Sequence, residues 1–479
     1  MSSRHRLTEQ QALAFIPAAS DFDQLDADWL LKSVLVAFLN PSFTLYRREL
    51  YRYLAAATAL HAYRHAPFWR ERLHPYRDMI EGGQPFELDQ LPLLNRTDVE
   101  KAGASIFVPG QGHFPSYTSG TTSGKSLMLL HSSQAREVLR KALSGFYGRA
   151  ARARGQAQPG FLLKLAFQAL GNEPPGRGGV LPVISKLNAG MEKALDLLDH
   201  SAAASAEMRI HTISGNPFDI VDLSLCAMAR FGDRFAALRE SVRELHTTGT
   251  YVSRHLRGWL EDTWRADLID AISFSELPVF ANSCLHCGHH HFHPFCTVEV
   301  VDSAGRPLAE GRGRLALTAL YPTVSSTHLM RYEVGDYVER REVRCVNGLE
   351  GYRFLGRYKG SVKLRPDQSE ADFLGICEVI DLLDDLPDIN RPVLKHNVGY
   401  DEPLRDFKHW PLFELKNEGS GPLVLSVELK YPQHAFPARR DEVEALIRRR
   451  FAERLPWFAG ADDARRLAIE FRNPRRFVI

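Results

Sequence analysis

Apolar positions along the chain change their period several times, and those changes divide it into elements. Over Ser20–Phe38 and again over Leu45–Ala66 they recur at helical spacing. The second stretch carries an arginine- and tyrosine-rich face of Tyr46, Arg47, Arg48, Tyr51, Arg52 and Tyr53. Such a face either meets something acidic or simply faces water. Thr97 or Asp98 is expected to cap one helix, and Ser132 or Ser133 another over Gln134–Tyr147. From residue 151 short apolar runs alternate with helical ones. Phe161–Phe167 reads as a strand and Ala189–Ser201 as a helix. His211–Pro217 reads as a strand end leading into a helix over Phe218–Phe231, and Arg243–Gly249 as a strand leading into a helix over Tyr251–Thr263. Leu268–Glu276 follows as a further strand. Strands that run through a Gly-containing turn into a helix are the α/β pattern, with ligands at the carboxyl edge of the sheet. Asn216 and Pro217 sit at such a turn, as pocket lining or as an ordinary connection. Thr297–Asp302 and Gly313–Leu320 alternate as a hairpin. The remainder reads helix, strand, helix, strand over Glu370–Leu383, Pro422–Tyr431, Arg439–Leu455 and Leu467–Phe471, a small α+β module.

At 479 residues the chain has room for one large domain and a smaller one, or for three of medium size. Apolar content of 44%, charged content of 25% and a formal charge of +2 are ordinary for a globular protein and point to neither nucleic acid nor a membrane surface. Met1-Ser-Ser-Arg-His-Arg6 has no apolar secretory segment, and no apolar run approaches the roughly 20 residues of a membrane span. The expected location is the cytoplasm.

The densest polar chemistry lies in Ser116–Ser126, Ser-Tyr-Thr-Ser-Gly-Thr-Thr-Ser-Gly-Lys-Ser. Backbone N–H groups, hydroxyls and one lysine in a loop of little bulk can cradle a phosphate, although such loops are also common on plain surfaces. It is not a Walker loop, which needs a glycine at the place of Ser119, follows a buried strand and opens directly into a helix. Here residues 110–115 do not read as a strand, and a short apolar run, Leu127–Leu130, precedes the helix.

A second cluster is Cys284-Leu-His-Cys287-Gly-His-His-His291-Phe-His293-Pro-Phe-Cys296. A Cys-x-x-Cys knuckle presents two thiolates to one tetrahedral ion, and a histidine with a third cysteine nearby closes the set. The expected ligands of a structural zinc are Cys284, Cys287, His291 and Cys296, with His293 as the next candidate. A redox pair would want a strand-to-helix context that is missing here. Cys226, Cys345 and Cys377 read as buried thiols.

Several phrases then fall in a recognisable order. Leu91-Pro-Leu-Leu-Asn-Arg-Thr-Asp98 precedes Thr118-Ser119-Gly120-Thr121-Thr122; next come Ser273-Phe-Ser-Glu276, Tyr321-Pro322-Thr323, Arg331-Tyr-Glu-Val-Gly335-Asp336-Tyr-Val and Gly356-Arg357. Over roughly Leu45–Arg357 the series resembles the adenylate-forming enzymes, the acyl-CoA synthetase and ligase superfamily, in its phenylacetate–CoA ligase-like branch. The resemblance implies an α/β fold: a large multi-sheet N-terminal domain over residues 1–357 and a small α+β lid over 358–479. It implies ATP with Mg2+, a small carboxylic acid that is aryl or arylacetic, and CoA or the phosphopantetheine of a carrier protein as thiol acceptor. A homodimer is common in that branch, and some of its members carry a metal-binding knuckle at this place.

By the same resemblance, Thr118, Ser119, Gly120, Thr121, Thr122 and Lys125 would close over the phosphates. Thr248 and Gly249 would hold adenine, with Phe274 stacked on it. Glu276 would hold Mg2+, Asp336 both ribose hydroxyls, and Arg357 ribose or phosphate. Arg331 would set its loop or meet the phosphate. Thr121, Lys125, Glu276 and Arg357 would be the catalytic group.

The chain departs from the family pattern in four places. Its loop lysine is shifted, Phe274 replaces a tyrosine with no glycine after it, Gly360 stands near the usual hinge aspartate, and no lysine follows Lys430. These departures leave open two other readings, transfer of the acyl group to a protein cysteine or an amine, and a non-catalytic nucleotide-binding homologue.

Overall fold

In a computed structural model of the chain, the period over Leu45–Ala66 becomes the helix Thr44–His65, which buries Tyr46, Leu50, Leu54 and Ala57. The structure describes residues 7–17, 25–40, 42–82, 87–112, 114–117, 126–153, 161–166, 179–185, 188–205, 208–343, 345, 349–362, 373–391, 410–417, 422–455 and 467–474. The chain divides into two compact units, Met1–Ala157 with Ser273–Arg353 and Gln158–Ile272 with Phe354–Ile479. Among the described residues, no helix is long and apolar enough to cross a membrane.

The first unit combines the helices Ala27–Leu39, Thr44–His65 and Ser133–Ala153 with antiparallel strands. Cys296–Val301 pairs with Gly311–Ala319, which pairs in turn with Tyr332–Arg341. Phe280–Ser283 pairs with His290–Phe292. The hairpin read from the alternation is therefore present, displaced by a residue or two at each end. A second hairpin joins Phe114–Tyr117 to Met128–His131. It corrects the reading of residues 110–115 as strand-free. Pro115 is tolerated because both strands of a two-stranded pair are edges, and four residues are too few to show a period. Asn95, rather than Thr97 or Asp98, caps Arg96–Ala102, and the Asp98 carboxylate accepts from the Asn95 N–H at 3.1 Å to complete a capping box. Ser132 Oγ accepts from the Ala135 N–H at 3.3 Å and opens the next helix.

In the second unit, Asp267–Ser273, Glu244–Thr248, Ile210–Gly215, Phe161–Ala166 and Val180–Ile184 lie side by side in that order, all parallel. Parallel strands are covered on both faces, and Phe161–Ala166 and Val180–Ile184 are accordingly nearly continuous in apolar character, while the other three strands mix polar with apolar residues. The helices Asn188–Ala203, Pro217–Phe231 and Arg254–Trp264 share their core with Ile213, Leu245 and Leu268. Trp264, fully buried, donates its indole N–H to Ser224 Oγ at 2.7 Å.

Nearer the C-terminus the strands Phe413–Asn417, Leu423–Glu428 and Leu467–Arg472 form a three-stranded sheet with a core of its own. Val379 and Leu383 of the helix Ile376–Leu383 meet Leu425 and Val427 of that sheet and Ile447 and Phe451 of the helix Pro437–Arg454. The helix expected over Glu370–Leu383 is shorter, beginning at Ile376 after Gly375. Phe451 is fully buried, so Phe451→Ala is expected to lower the stability of this part by about 3–5 kcal/mol. Urea unfolding would show the loss as a fall in midpoint, with earlier proteolytic cleavage beyond residue 360; an unchanged midpoint would mean the ring is not packed.

Candidate functional site

Ser116 lies at the foot of the hydroxyl-rich loop, in the strand Phe114–Tyr117. Its Oγ donates to the Ser275 carbonyl at 2.9 Å, and Ser275 stands between Phe274 and Glu276. That turn is closed by the Phe274 N–H donating to Val279 O at 3.4 Å. Phe274 is half-buried and stacks on Phe292, with ring centroids 6.2 Å apart at 15°. Glu276 is half-buried as well. The opposite strand of the hairpin is braced from the Tyr321–Arg331 segment, where the Ser326 and Thr327 hydroxyls donate to Leu130 O at 2.7 and 2.6 Å.

The same segment leads through Arg331 into the strand Tyr332–Arg341, which carries Asp336. Gly335 has φ 81°, a conformation that side-chain-bearing residues seldom adopt, and it sets the direction of the half-buried Asp336. Arg331 is 2% exposed. Its guanidinium pairs with Glu299 through Nε at 3.1 and 3.0 Å, and donates to the carbonyls of Asp89 at 3.1 Å, Gly305 at 2.9 Å and Leu91. Burial pushes the Glu299 carboxyl up, and Arg331 pulls it back toward the ionised form. Of its two expected roles, Arg331 therefore has the loop-setting one.

In the second unit Thr248 ends the strand Glu244–Thr248, and Gly249 follows it. Asn216 caps Pro217–Phe231 and donates from Nδ2 to Thr250 Oγ1 at 2.9 Å, so the two strand-end turns are tied together. A network just beyond left no signal in the residue pattern. Tyr251 donates its hydroxyl to Asp381 Oδ2 at 3.0 Å, and the Arg254 N–H donates to Asp381 Oδ1 at 3.0 Å. The Ser253 hydroxyl donates to Asp384, whose other oxygen takes Arg391 Nη1 at 2.6 Å. Arg357 ends the strand Gly351–Arg357. Lys416 pairs with Glu414 at 3.2 Å, and Lys430 is exposed. Thr118, Ser119, Gly120, Thr121, Thr122 and Lys125 lie outside the described residues.

The cysteine cluster is assembled differently from its sequence reading. Cys284, Cys287, His291 and Cys345 bring their ligand atoms within 4.8 Å of one another. Cys284 Sγ and Cys345 Sγ are 3.7 Å apart, and Cys287 Sγ and His291 Nε2 are 3.2 Å apart. Donors at about 2.0–2.3 Å from one tetrahedral ion stand roughly 3.3–3.8 Å from each other, so this set fits a closed four-ligand site. Cys296 is not among them. It is buried, and its thiol donates to His293 O at 3.2 Å. Cys345 takes its place because the chain returns beyond the strand Tyr332–Arg341. It stands in a polar run, Arg344-Cys345-Val346-Asn347-Gly348, unlike a core thiol, and that was the one available signal.

Local bonds set the geometry of the knuckle. Gly288, at φ 71°, donates its N–H to Cys284 O at 2.8 Å and closes the turn. His291 Nδ1 lies 2.7 Å from Glu350 O, which fixes the tautomer that leaves Nε2 as a ligand. Burial holds His291 below its ordinary value and therefore neutral. Burial also pushes Cys287 up to about 12, the neighbouring Cys284 adding to it; a cation at the centre would reverse that.

No protein-family model matches the chain, and no curated protein matches it. Solved structures do. A 2-hydroxyisobutyryl-CoA ligase in the postadenylation state with R3-HIB-AMP superposes with a TM-score of 0.59 at 15% identity, over 88% of this chain and 86% of the ligase. The same ligase in an open conformation with 2-HIB-AMP and CoA gives 0.56 at 15% identity, over 89% and 88%. The fold is that of the adenylate-forming enzymes. Within this fold Arg331 holds the Gly335–Asp336 phrase from beneath, as a buried cation with one carboxylate partner. Arg331→Met is expected to cost about 3–5 kcal/mol by leaving Glu299 unpaired, and Arg331→Met with Glu299→Leu to recover much of that. Urea denaturation of the three proteins tests the pairing; equal losses in the single and double variants would refute it.

Proposed function

We propose that the protein activates a small carboxylic acid with ATP and passes the acyl group to a thiol. A carboxylate oxygen attacks the α-phosphorus and pyrophosphate leaves, giving an acyl adenylate. The sulfur of CoA or of a carrier phosphopantetheine then attacks the acyl carbon, AMP leaves, and the thiol proton passes to solvent. The observation that carries this reading is the Ser116–Ser275 hydrogen bond at 2.9 Å, which sets the foot of the hydroxyl loop beside the turn bearing Glu276. Phosphoryl chemistry of this kind needs positioning and charge neutralisation more than covalent help.

In this reading Asp336 accepts both ribose hydroxyls, because a carboxylate matches a cis-diol in a bidentate way. Phase-setting contacts to adenine come from Phe274 and the Thr248–Gly249 turn. Thr118, Ser119, Gly120, Thr121, Thr122 and Lys125 gather the phosphates, Arg357 adds charge, and Glu276 offers one carboxylate to Mg2+, an ion that keeps several waters and needs few protein ligands. Residues 358–479 serve as a lid that keeps water from the mixed anhydride. The resemblance favours an aryl or arylacetic acid. Zinc held by Cys284, Cys287, His291 and Cys345 is structural, since four protein donors leave no open position.

Carboxylate-dependent ATP–pyrophosphate exchange over a panel of aryl and alkyl acids tests the proposal. At least one acid should support exchange, and Asp336→Asn should lower it roughly 10- to 100-fold, the worth of hydrogen bonds to a charged group. Exchange with no acid at all would overturn the activation reading. Adding CoA, a holo-carrier protein or an amine to the positive reaction identifies the acceptor. Elemental analysis of purified protein should find zinc in proportion to chain. Cys345→Ser is expected to lose it and Cys296→Ser to retain it; the reverse pattern would restore Cys296 as the ligand.

A further inference from the structure

The cysteine–histidine cluster can support a chemistry other than metal binding. None of the six cysteines is in a disulfide. Cys226, Cys296 and Cys377 are buried, and the Cys296 thiol is turned to His293 O at 3.2 Å. Cys284, Cys287 and Cys345 instead converge with His291, all four ligand atoms lying within 4.8 Å of one another. Cys284 Sγ stands 3.7 Å from Cys345 Sγ, and Cys287 Sγ stands 3.2 Å from His291 Nε2. The first of these contacts joins two thiols, which can become a covalent bond by giving up two electrons. The second cannot.

The two thiols reach each other from separate stretches of chain. Cys284 is fixed at the start of the knuckle, where its N–H donates to His289 O and its carbonyl accepts from the Gly288 N–H, both at 2.8 Å. Cys345 lies 61 residues further on, beyond the strand Tyr332–Arg341, and its N–H donates to Val343 O at 2.9 Å. A disulfide holds its sulfurs about 2.0 Å apart, so the pair has to close by less than the width of one sulfur atom. Access to the two differs. Cys284 is buried and Cys345 is half-buried, so a small oxidant meets Cys345 first and finds Cys284 behind it.

We propose that Cys284 and Cys345 are a redox pair, joined reversibly by a peroxide, and that their disulfide and a bound metal exclude each other. The Cys345 sulfur attacks one peroxide oxygen, the O–O bond breaks, and a sulfenic acid and one water result. The Cys284 sulfur then attacks that sulfur; the S–S bond forms, the S–O bond breaks, and the hydroxyl leaves as a second water with the thiol proton. The two thiols lose two electrons and the peroxide gains them. With zinc in place the sulfurs carry no protons, so two come from solvent instead. Cys287 and His291 are then the remaining donors, too few for a tetrahedral site of four, and the ion leaves. The thiol pair does not rest on the activation reading, and its exclusion of metal rests on the zinc reading.

Treating the metal-free protein with a small excess of hydrogen peroxide tests the proposal, with the remaining thiols then alkylated in denaturant and the peptides mapped by mass spectrometry. The peptide bearing Cys345 is expected joined to the one bearing Cys284, and dithiothreitol should part them. Because the link closes a stretch of 61 residues, the joined chain should also run faster on a non-reducing denaturing gel. Cys287→Ser should still form the link, and Cys284→Ser should not. In parallel, zinc-loaded protein should release one ion for each link formed, read with a chromogenic chelator, and take it up again after reduction. No link, a link between Cys284 and Cys287, or zinc kept by the joined chain would overturn the proposal. If the reduced protein binds no zinc, the zinc reading fails and the metal-free arm alone decides the pair. None of these results bears on ATP–pyrophosphate exchange, so the activation reading stands or falls separately.

Discussion

A buried guanidinium organises the first unit. Arg331 joins the strand Cys296–Val301 through Glu299, the turn at Gly305, the segment at Asp89 and Leu91, and the strand Gly311–Ala319 through Thr318 Oγ1, which accepts its backbone N–H at 2.8 Å. Its backbone is left-handed at φ 49°, a conformation costly for arginine unless its surroundings enforce it. A buried ion pair seldom adds much net stability, because desolvation offsets attraction. What it does add is a unique arrangement. Four separate pieces of chain must be in register before five donors find their acceptors, and only then does the following Gly335 aim Asp336. The phrase that looks like a nucleotide motif is thus anchored by a residue whose guanidinium is taken up by protein acceptors.

Much of the fold was legible because long periods survive noise. Pro217–Phe231 and Thr44–His65 follow their apolar stripes to within a residue or so at each end. Short elements were less so: Phe114–Tyr117 carries a proline and no alternation, and Asn95 outcompeted Thr97 and Asp98 as a cap because the reciprocal bond with Asp98 satisfies two donors at once. At the candidate site the order of turns could be read, since each strand end is a local signal. Contacts made across the fold could not. Cys345 joins the knuckle from a distant loop, and Asp381 and Asp384 look in sequence like ordinary acids near the end of a helix.

The cysteine–histidine cluster and the Phe274 turn form one mechanical series. His291 reaches Glu350 O, Phe292 follows His291 and stacks on Phe274, and Tyr352 meets Phe292 edge-on at 5.1 Å while donating to Glu350. An ion bound at the knuckle would hold the start of the strand His290–Phe292 and the chain that leads into Gly351–Arg357. Without it, three thiols, of which Cys284 is buried, and a neutral histidine would face each other, and the aromatic series would lose that anchor. The knuckle lies outside the proposed chemistry, yet it has a direct route to the residue proposed to stack on adenine.

The same reasoning applies to the C-terminal module on the proposed reading of it as a lid. Any swing of the helix Ile376–Leu383 away from the turn after Thr248 must part Asp381 from Tyr251 and Arg254, and Asp384 from Ser253. Asp384 is 4% exposed and Asp381 has its pKa raised by burial, so both carboxylates are held in a poorly hydrated place by these donors. Hydrogen bonds to charged groups are each worth about 1.5–3 kcal/mol, but opening would return the carboxylates to water and recover much of that. The two positions can therefore lie close in free energy while the closed contacts remain specific. Ser253 links them to the chain's local geometry, because its Oγ also accepts from the Leu256 N–H at 3.0 Å and caps the helix Arg254–Trp264. A ligand that shifts the Thr248–Gly249 turn would act on this capping serine first, and through it on the module.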